Sequence, residues 1–310
     1  AVCMSPKSPI GDAFTTAPCH DESLLRAYVS MGAIPGIQTQ RGCPLRCCYC
    51  TYPLIEGRRS RYRTGEEIAE EMRRLKSCGV KYSFIVDSVF NTNREHVEQV
   101  CETLIRADLD MEWGCFLRPR AIGRDQLELM KRAGLRHIEF GSDSLSDAAL
   151  KRYGKGFTWE DVRTTSLHAH ELGLNYSHFL IFGGPGETEE TVEETIAHAS
   201  LFPDATYFGM IGMRIYPGTE LWMQLGLENK GELPGEYLVE PRFHVEPPLS
   251  VDGLSRRLRE VSAVAKNWMI GDPPPAFKKM IASLREKGAR GPMWEYVELS
   301  QRFTKTGGAA

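Results

Sequence analysis

The chain has 310 residues, 38 Lys+Arg against 41 Asp+Glu and a formal net charge of −3, which leaves no electrostatic footprint for nucleic acid or an anionic membrane surface. At this length a fold buries roughly three quarters of its unfolded surface and needs no disulfide framework, so the nine cysteines call for other chemistry. Apolar runs such as 84–86 and 179–182 are far shorter than the ~20 residues of a membrane-spanning helix, the N-terminus has no secretory pattern, and a reducing cytoplasm is the expected compartment.

In chain order, residues 1–33 read as a linker broken by Pro6, Pro9 and Pro18, and IPGIQTQ (34–40) as the first strand. Thr64-Gly65-Glu66-Glu67 has capping-box spacing, and Ile68, Met72 and Leu75 follow on one helical face. YSFIVDSVF (82–90) is a buried strand with a polar end, and Thr92-x-x-Glu95 opens a second helix in the same way. Strands follow near 112–117, 136–142, 176–182 and 206–215, and helices over 124–133, 146–173 and 188–201. Six β-then-α units predict an α/β fold over 34–218, a partial (β/α)6 TIM-like barrel with chemistry at the strand C-terminal ends. Composition changes after Gly218: 229–250 is Pro- and charge-rich, a helical segment spans about 251–270, and two more short helical candidates follow. Residues 219–310 are therefore expected to be a mostly helical extension or lid.

The first strand runs into RGCPLRCCYCTYP (41–53), where Cys43, Cys47 and Cys50 are spaced C-x3-C-x2-C. Three thiolates on one short loop suit an iron–sulfur cube and leave one iron without a protein ligand. Zinc and a C-x-x-C redox pair are the alternatives, although His20 and His96 lie at no ordinary zinc-finger spacing. Cys48 is an extra thiol whose side chain should point away, while Cys78 and Cys101 sit among apolar helical neighbours as core residues.

With Tyr49 before the third cysteine and the loop following the first strand of a six-fold βα array, the pattern resembles the radical S-adenosylmethionine (radical SAM) superfamily. TYPLIEGR (51–58), FIVDSVFN (84–91), IEFGSDSLSD (138–147), HFLIFGGPGETEETVEET (178–195) and RIYPGTEL (214–221) are most similar to the radical half of cobalamin-binding members of the lipid-biosynthesis type. The resemblance implies a [4Fe–4S] cluster on Cys43, Cys47 and Cys50 whose open iron chelates S-adenosylmethionine. Reductive cleavage then gives a 5′-deoxyadenosyl radical that acts on a small-molecule substrate, with electrons from a donor such as flavodoxin or ferredoxin. About 40 residues precede the cluster here, where such relatives carry a cobalamin domain. The chain is therefore expected to be an excised piece or a cobalamin-free branch.

By the same resemblance Tyr49 lies near the adenine, or else packs the loop as an aromatic wedge. Asp87 and Ser88 stand where relatives contact the amino group of S-adenosylmethionine; Asp87 capping the next loop is the alternative. Strand alternation groups Glu139 with Gly141 and Asp143. Glu139 is expected in a polar lumen, either on the cofactor or in a salt bridge to Arg118 or Arg214. Ser142 and Arg214 are further expected cofactor contacts. Cys115 and His178 are the expected catalytic side chains of the lumen, His178 being equally explicable as a hydrogen-bonded core histidine. Gly183-Gly184-Pro185-Gly186 is followed by acidic residues and is not a phosphate loop. Three functions compete: direct radical chemistry on a small biosynthetic substrate, cobalamin-dependent methyl transfer with the cobalamin domain missing or supplied in trans, and a non-catalytic iron–sulfur electron carrier.

Overall fold

The computed structural model describes residues 21–120, 122–202, 204–229, 239–272 and 275–297. The proline-broken start of the chain, the middle of the Pro- and charge-rich stretch and the C-terminal tail lie outside these residues.

The strands in chain order are β1 (Gly36–Ile37), β2 (Gln40–Arg41), β3 (Arg61–Tyr62), β4 (Tyr82–Ile85), β5 (Glu112–Leu117), β6 (Leu135–Asp143), β7 (Asn175–Phe182), β8 (Thr206–Ile211), β9 (Met213–Arg214), β10 (Phe243–His244) and β11 (Trp268–Ile270). The helices are α1 (Glu22–Ser30), α2 (Tyr52–Ile55), α3 (Gly65–Ser77), α4 (Arg94–Ala107), α5 (Arg124–Arg132), α6 (Asp147–Arg152), α7 (Trp159–Glu171), α8 (Glu189–Ala199), α9 (Glu220–Gln224), α10 (Val251–Val264) and α11 (Pro275–Glu286). One seven-stranded sheet runs β1-β4-β5-β6-β7-β8-β11, and every neighbouring pair in it is parallel. Strand order follows chain order, which helix-crossover connections of one hand produce.

Several elements form for local reasons legible in the residues. Thr64 and Glu67 make the expected capping box at α3, as Thr158 and Asp161 do at α7. At α4 the cap is Asn93, whose side chain accepts from the His96 N–H; Thr92 is instead drawn to Gln40, donating to its Oε1 at 2.6 Å. The first strand is two residues long. Its continuation, β2, leaves the sheet and pairs antiparallel with β3, pinching together the ends of the cysteine loop. The expected strand 206–215 breaks at Gly212, whose φ is +81°, and β9 then pairs with β10. The expected helix to about 270 ends at Val264, where Ala265 turns extended (ψ 106°), and Trp268–Ile270 adds a seventh strand beside β8.

The sheet's two faces differ. Outward-pointing Ile85, Trp113, Cys115, Ile138, Phe140, His178, Leu180, Phe182 and Tyr207 are buried under the helices. At the N-terminal ends of the strands the C-terminal segment closes the inner face. The Trp294 carbonyl accepts from Thr206 Oγ1 at 3.3 Å and Glu295 lies 2.9 Å from His137 Nε2. This part of the extension therefore sits at the end of the barrel opposite the cysteine loop. Among the described residues no helix is long and apolar enough to cross a membrane.

Candidate active site

The cysteine loop is held from both sides. Cys43 N–H donates to the Gly57 carbonyl at 3.0 Å, Cys48 N–H to the Tyr153 carbonyl at 3.0 Å, and the Cys48 carbonyl accepts from Leu221 N–H at 2.8 Å. Gly42, at φ +86°, passes so close to the Arg59 carbonyl that any side chain there would collide. The loop thereby turns the sulfurs of Cys43, Cys47 and Cys50 onto one cavity of about 120 Å³, whose other walls include Tyr49, Ser88, Phe116, Arg118, Gly141, Lys155 and Phe157. Apart from Tyr49, which is on the loop itself, these come from the C-terminal ends of β4, β5 and β6 and from the turn between α6 and α7, the end of the barrel on which the chemistry was expected.

Cys48 does point away. Its thiol is buried, 3.6 Å from the Met213 sulfur, and burial pushes its pKa up to about 12. The donor set at the cavity is thus three thiols. Three soft thiols lining one cavity suit an iron–sulfur cube, which gives each thiolate a different iron.

Beside the thiols lies a charged group that the helical reading of 146–173 concealed. Lys155 is buried and donates to Asp143 Oδ2 at 2.7 Å, and the Tyr49 hydroxyl donates to the same oxygen at 2.6 Å. Burial opposes the lysine's charge, but Asp143 and Cys47 outweigh it and its pKa is raised. Burial raises the Cys47 pKa and Lys155 works against that rise. Asp143 reaches this position through an irregularity in the β6–β7 ladder after Phe140 and a left-handed backbone, φ +64°, which aspartate tolerates better than most residues. Arg118, the next cavity wall, gives Nη2 to the carbonyls of Lys155 and Gly156 at 3.2 and 2.6 Å. Its buried Nε has no hydrogen-bond partner among the described residues.

The remaining expected site residues divide. Ser88 lines the cavity. Asp87 does not: fully buried, it accepts from Thr39 N–H at 2.7 Å, Thr39 Oγ1 at 2.5 Å and Gln40 N–H at 3.1 Å, tying β4 to the chain entering the cysteine loop, and burial pushes its pKa up to about 7. Glu139 is on the inner face, where it accepts from the Trp294 indole at 3.0 Å in place of the expected arginine. Arg214 lies on β9 with its guanidinium carbon 4.5 Å from the centre of the Tyr216 ring. Cys115 and His178 point outward, contrary to the expectation of a lumen position. Cys115 belongs to the hydrophobic core beneath the helices. His178 binds Ser142 at 2.8 Å and Ser166 at 3.2 Å between the rings of Phe140 and Tyr207, and burial lowers its pKa to about 3. Ser142 is thereby committed to the helix side as well. In the loop 183–187, Gly184 lies against the Tyr153 ring and its N–H donates to that hydroxyl at 3.1 Å, which donates to the Glu187 carboxylate at 3.1 Å.

The Radical SAM superfamily profile matches residues 37–199. The chain belongs to the radical SAM superfamily. It is a radical SAM enzyme chain, and the family's cofactors are a [4Fe–4S] cluster and S-adenosylmethionine, which sets aside the electron-carrier and zinc readings. It is 30% identical over 207 residues to an uncharacterised methyltransferase of Pyrococcus horikoshii, covering 66% of this chain and 45% of that protein. It is also 30% identical over 206 residues to the anaerobic magnesium-protoporphyrin IX monomethyl ester cyclase of Rubrivivax gelatinosus, covering 64% of this chain and 36% of that one. The chain thus spans less than half the length of both relatives. Its fold matches that of the radical S-adenosylmethionine methyltransferase TsrM from Kitasatospora setae, solved with cobalamin and a [4Fe–4S] cluster, with a TM-score of 0.78 at 21% identity, over 90% of this chain and 62% of that one.

Proposed function

We propose that this radical SAM chain carries its [4Fe–4S] cluster on Cys43, Cys47 and Cys50 and directs radical chemistry at a carbon of a small biosynthetic substrate. The observation that supports this most is the sorting of the loop's four thiols, three onto the cavity and one into the core. When bound, the cluster and S-adenosylmethionine supply one-electron cleavage of a carbon–sulfur bond and hence a carbon radical. The chain's own residues prepare the site for it. Lys155 sets a fixed positive charge beside the thiolates, and its bond to Asp143 keeps it there. Arg118 Nε and Ser88 offer polar contacts to a ligand in the cavity, while Phe116, Phe157 and Tyr49 exclude water from it.

Cobalamin-dependent methyl transfer is a second reading, favoured by relatives named as methyltransferases and by the TsrM fold match. It requires cobalamin from a partner or from a further domain. Supplying hydroxocobalamin and a reductant together with S-adenosylmethionine labelled in its methyl group separates the two: a methylated, labelled product supports methyl transfer, and 5′-deoxyadenosine with no methylated product supports direct chemistry. An electron donor of the flavodoxin or ferredoxin kind completes either proposal.

A further inference from the structure

Among the described residues, inner-face positions near the cysteine loop are apolar and partly exposed, whereas the outward face of the same strands is sealed by helices. Phe84, Phe116, Phe179 and Phe208 form one row across β4, β5, β7 and β8. Successive ring centres are 5.0, 6.4 and 4.6 Å apart, the last pair being stacked within 6° of parallel. Phe116, Phe179 and Phe208 are only half-buried, and Val86 and Met210 at the ends of the row are 41% and 43% exposed. On β6 the row has a gap: a side chain added at Gly141 would meet nothing within 4 Å. A closed barrel fills such positions with packed side chains; this partial barrel leaves a ring-faced recess there. Phe116 and Gly141 also line the cysteine cavity, so the recess and the cavity are continuous. Of the carboxylates of that face, Glu139 is held by Trp294 and Glu112 stands at the N-terminal start of β5.

We propose that this row is the substrate surface and that the substrate is a flat, largely apolar ring compound laid against Phe116, Phe179 and Phe208 with one edge at Gly141. The site was expected to be polar, with Cys115, Glu139, His178 and Arg214 as its lining; the parity of the strands turns Cys115 and His178 outward and sets phenylalanines on the inner face with Glu139. Aromatic faces favour stacked or edge-on rings, with centroids at about 4.5–7 Å; the buried Ser177 hydroxyl on the same face, without a hydrogen-bond partner among the described residues, leaves room for one polar substituent. The inference deepens the function proposed above and rests on it for the chemistry, but the binding it describes needs no cluster.

The test is a fluorescence titration of the chain with 1-aminoanthracene, competed with L-tryptophan as a ring bearing a charged head. Saturable one-site binding is expected in the unaltered chain and in Cys47→Ala. About tenfold weaker binding is expected in Phe179→Leu/Phe208→Leu, which keeps apolar volume but removes both rings. Gly141→Leu, which adds bulk into open space and so spares the fold, is expected to abolish binding. Three results overturn the proposal: no saturable binding, unchanged affinity in both variants, or tryptophan binding as tightly as the probe. Retention of the cluster by Cys47→Ala with probe binding intact would instead count against the proposed function alone.

Discussion

Cys47 and Cys48 are adjacent in the sequence and meet opposite surroundings, the first on the cavity with Lys155, the second 3.6 Å from Met213 in a core of its own. Cys48→Ala is therefore expected to keep the full iron content and to lose about 1 kcal/mol of stability through the vacated volume, read by urea denaturation. Lys155→Met is expected to lower the potential of the bound cluster, on the order of 100 mV for a one-electron couple, because it removes a positive charge and leaves Asp143 uncompensated. An EPR-monitored redox titration measures this, and an unchanged potential would remove Lys155 from the account. At this scale the cysteine spacing was legible because a loop ligand set is local. Cys115 and His178 were misplaced because a strand's parity is fixed only by which face its neighbours cover, here by Ser142 and Ser166 meeting His178 from the helix side. Lys155 gave no signal, since its partners Asp143 and Tyr49 come together only in the fold.

The elements that sequence periodicity located well are the long ones, β5 to β7, α3 to α5 and α8, where alternation or a capping box extends over many residues, while the stretch 146–173 divides into α6 and α7 around the turn that carries Lys155. The short ones depended on partners far away in the chain. β1 keeps only two residues because Gln40 and Arg41 pair with β3, and β11 exists because β8 would otherwise present an open edge. The turn joining β7 to α8 has a testable role of this kind. Gly184 lies against the Tyr153 ring, and Tyr153 holds the backbone of Cys48. Gly184→Ala should push that ring and the loop apart, costing about 1–3 kcal/mol and lowering cluster occupancy, with both measured on one preparation. Lower stability with full occupancy would show that the turn and the loop are independent.

Across the whole molecule the two ends of the barrel do different things. The C-terminal ends gather thiols, Lys155 and Arg118 around a cavity, while the N-terminal ends are closed by residues 293–297 over His137 and Glu139. Burial, partly offset by the Trp294 bond, pushes the Glu139 carboxyl up to about 7. The folded chain therefore holds a proton there that the unfolded chain releases near pH 4.5. Its contribution makes stability fall as pH rises from about 4.5 to 7 and stay level above, by about 3 kcal/mol at most. Glu139→Gln keeps an acceptor for the indole and should flatten that part of the profile, leaving the variant the more stable protein at pH 8. Urea denaturation across this range measures it, and an unchanged slope would contradict the burial argument. Glu187 and Asp87, with carboxyls also pushed up to about 7, act in the same direction and remain in the variant's profile. The central claim, a cluster on three of the loop's four thiols, is tested most directly by iron analysis and EPR after anaerobic reconstitution of the Cys43, Cys47, Cys48 and Cys50 alanine variants. The account predicts about four irons per chain with a [4Fe–4S]⁺ signal in Cys48→Ala alone of the four; a full cluster in Cys43→Ala, Cys47→Ala or Cys50→Ala, or its loss in a folded Cys48→Ala, would contradict it.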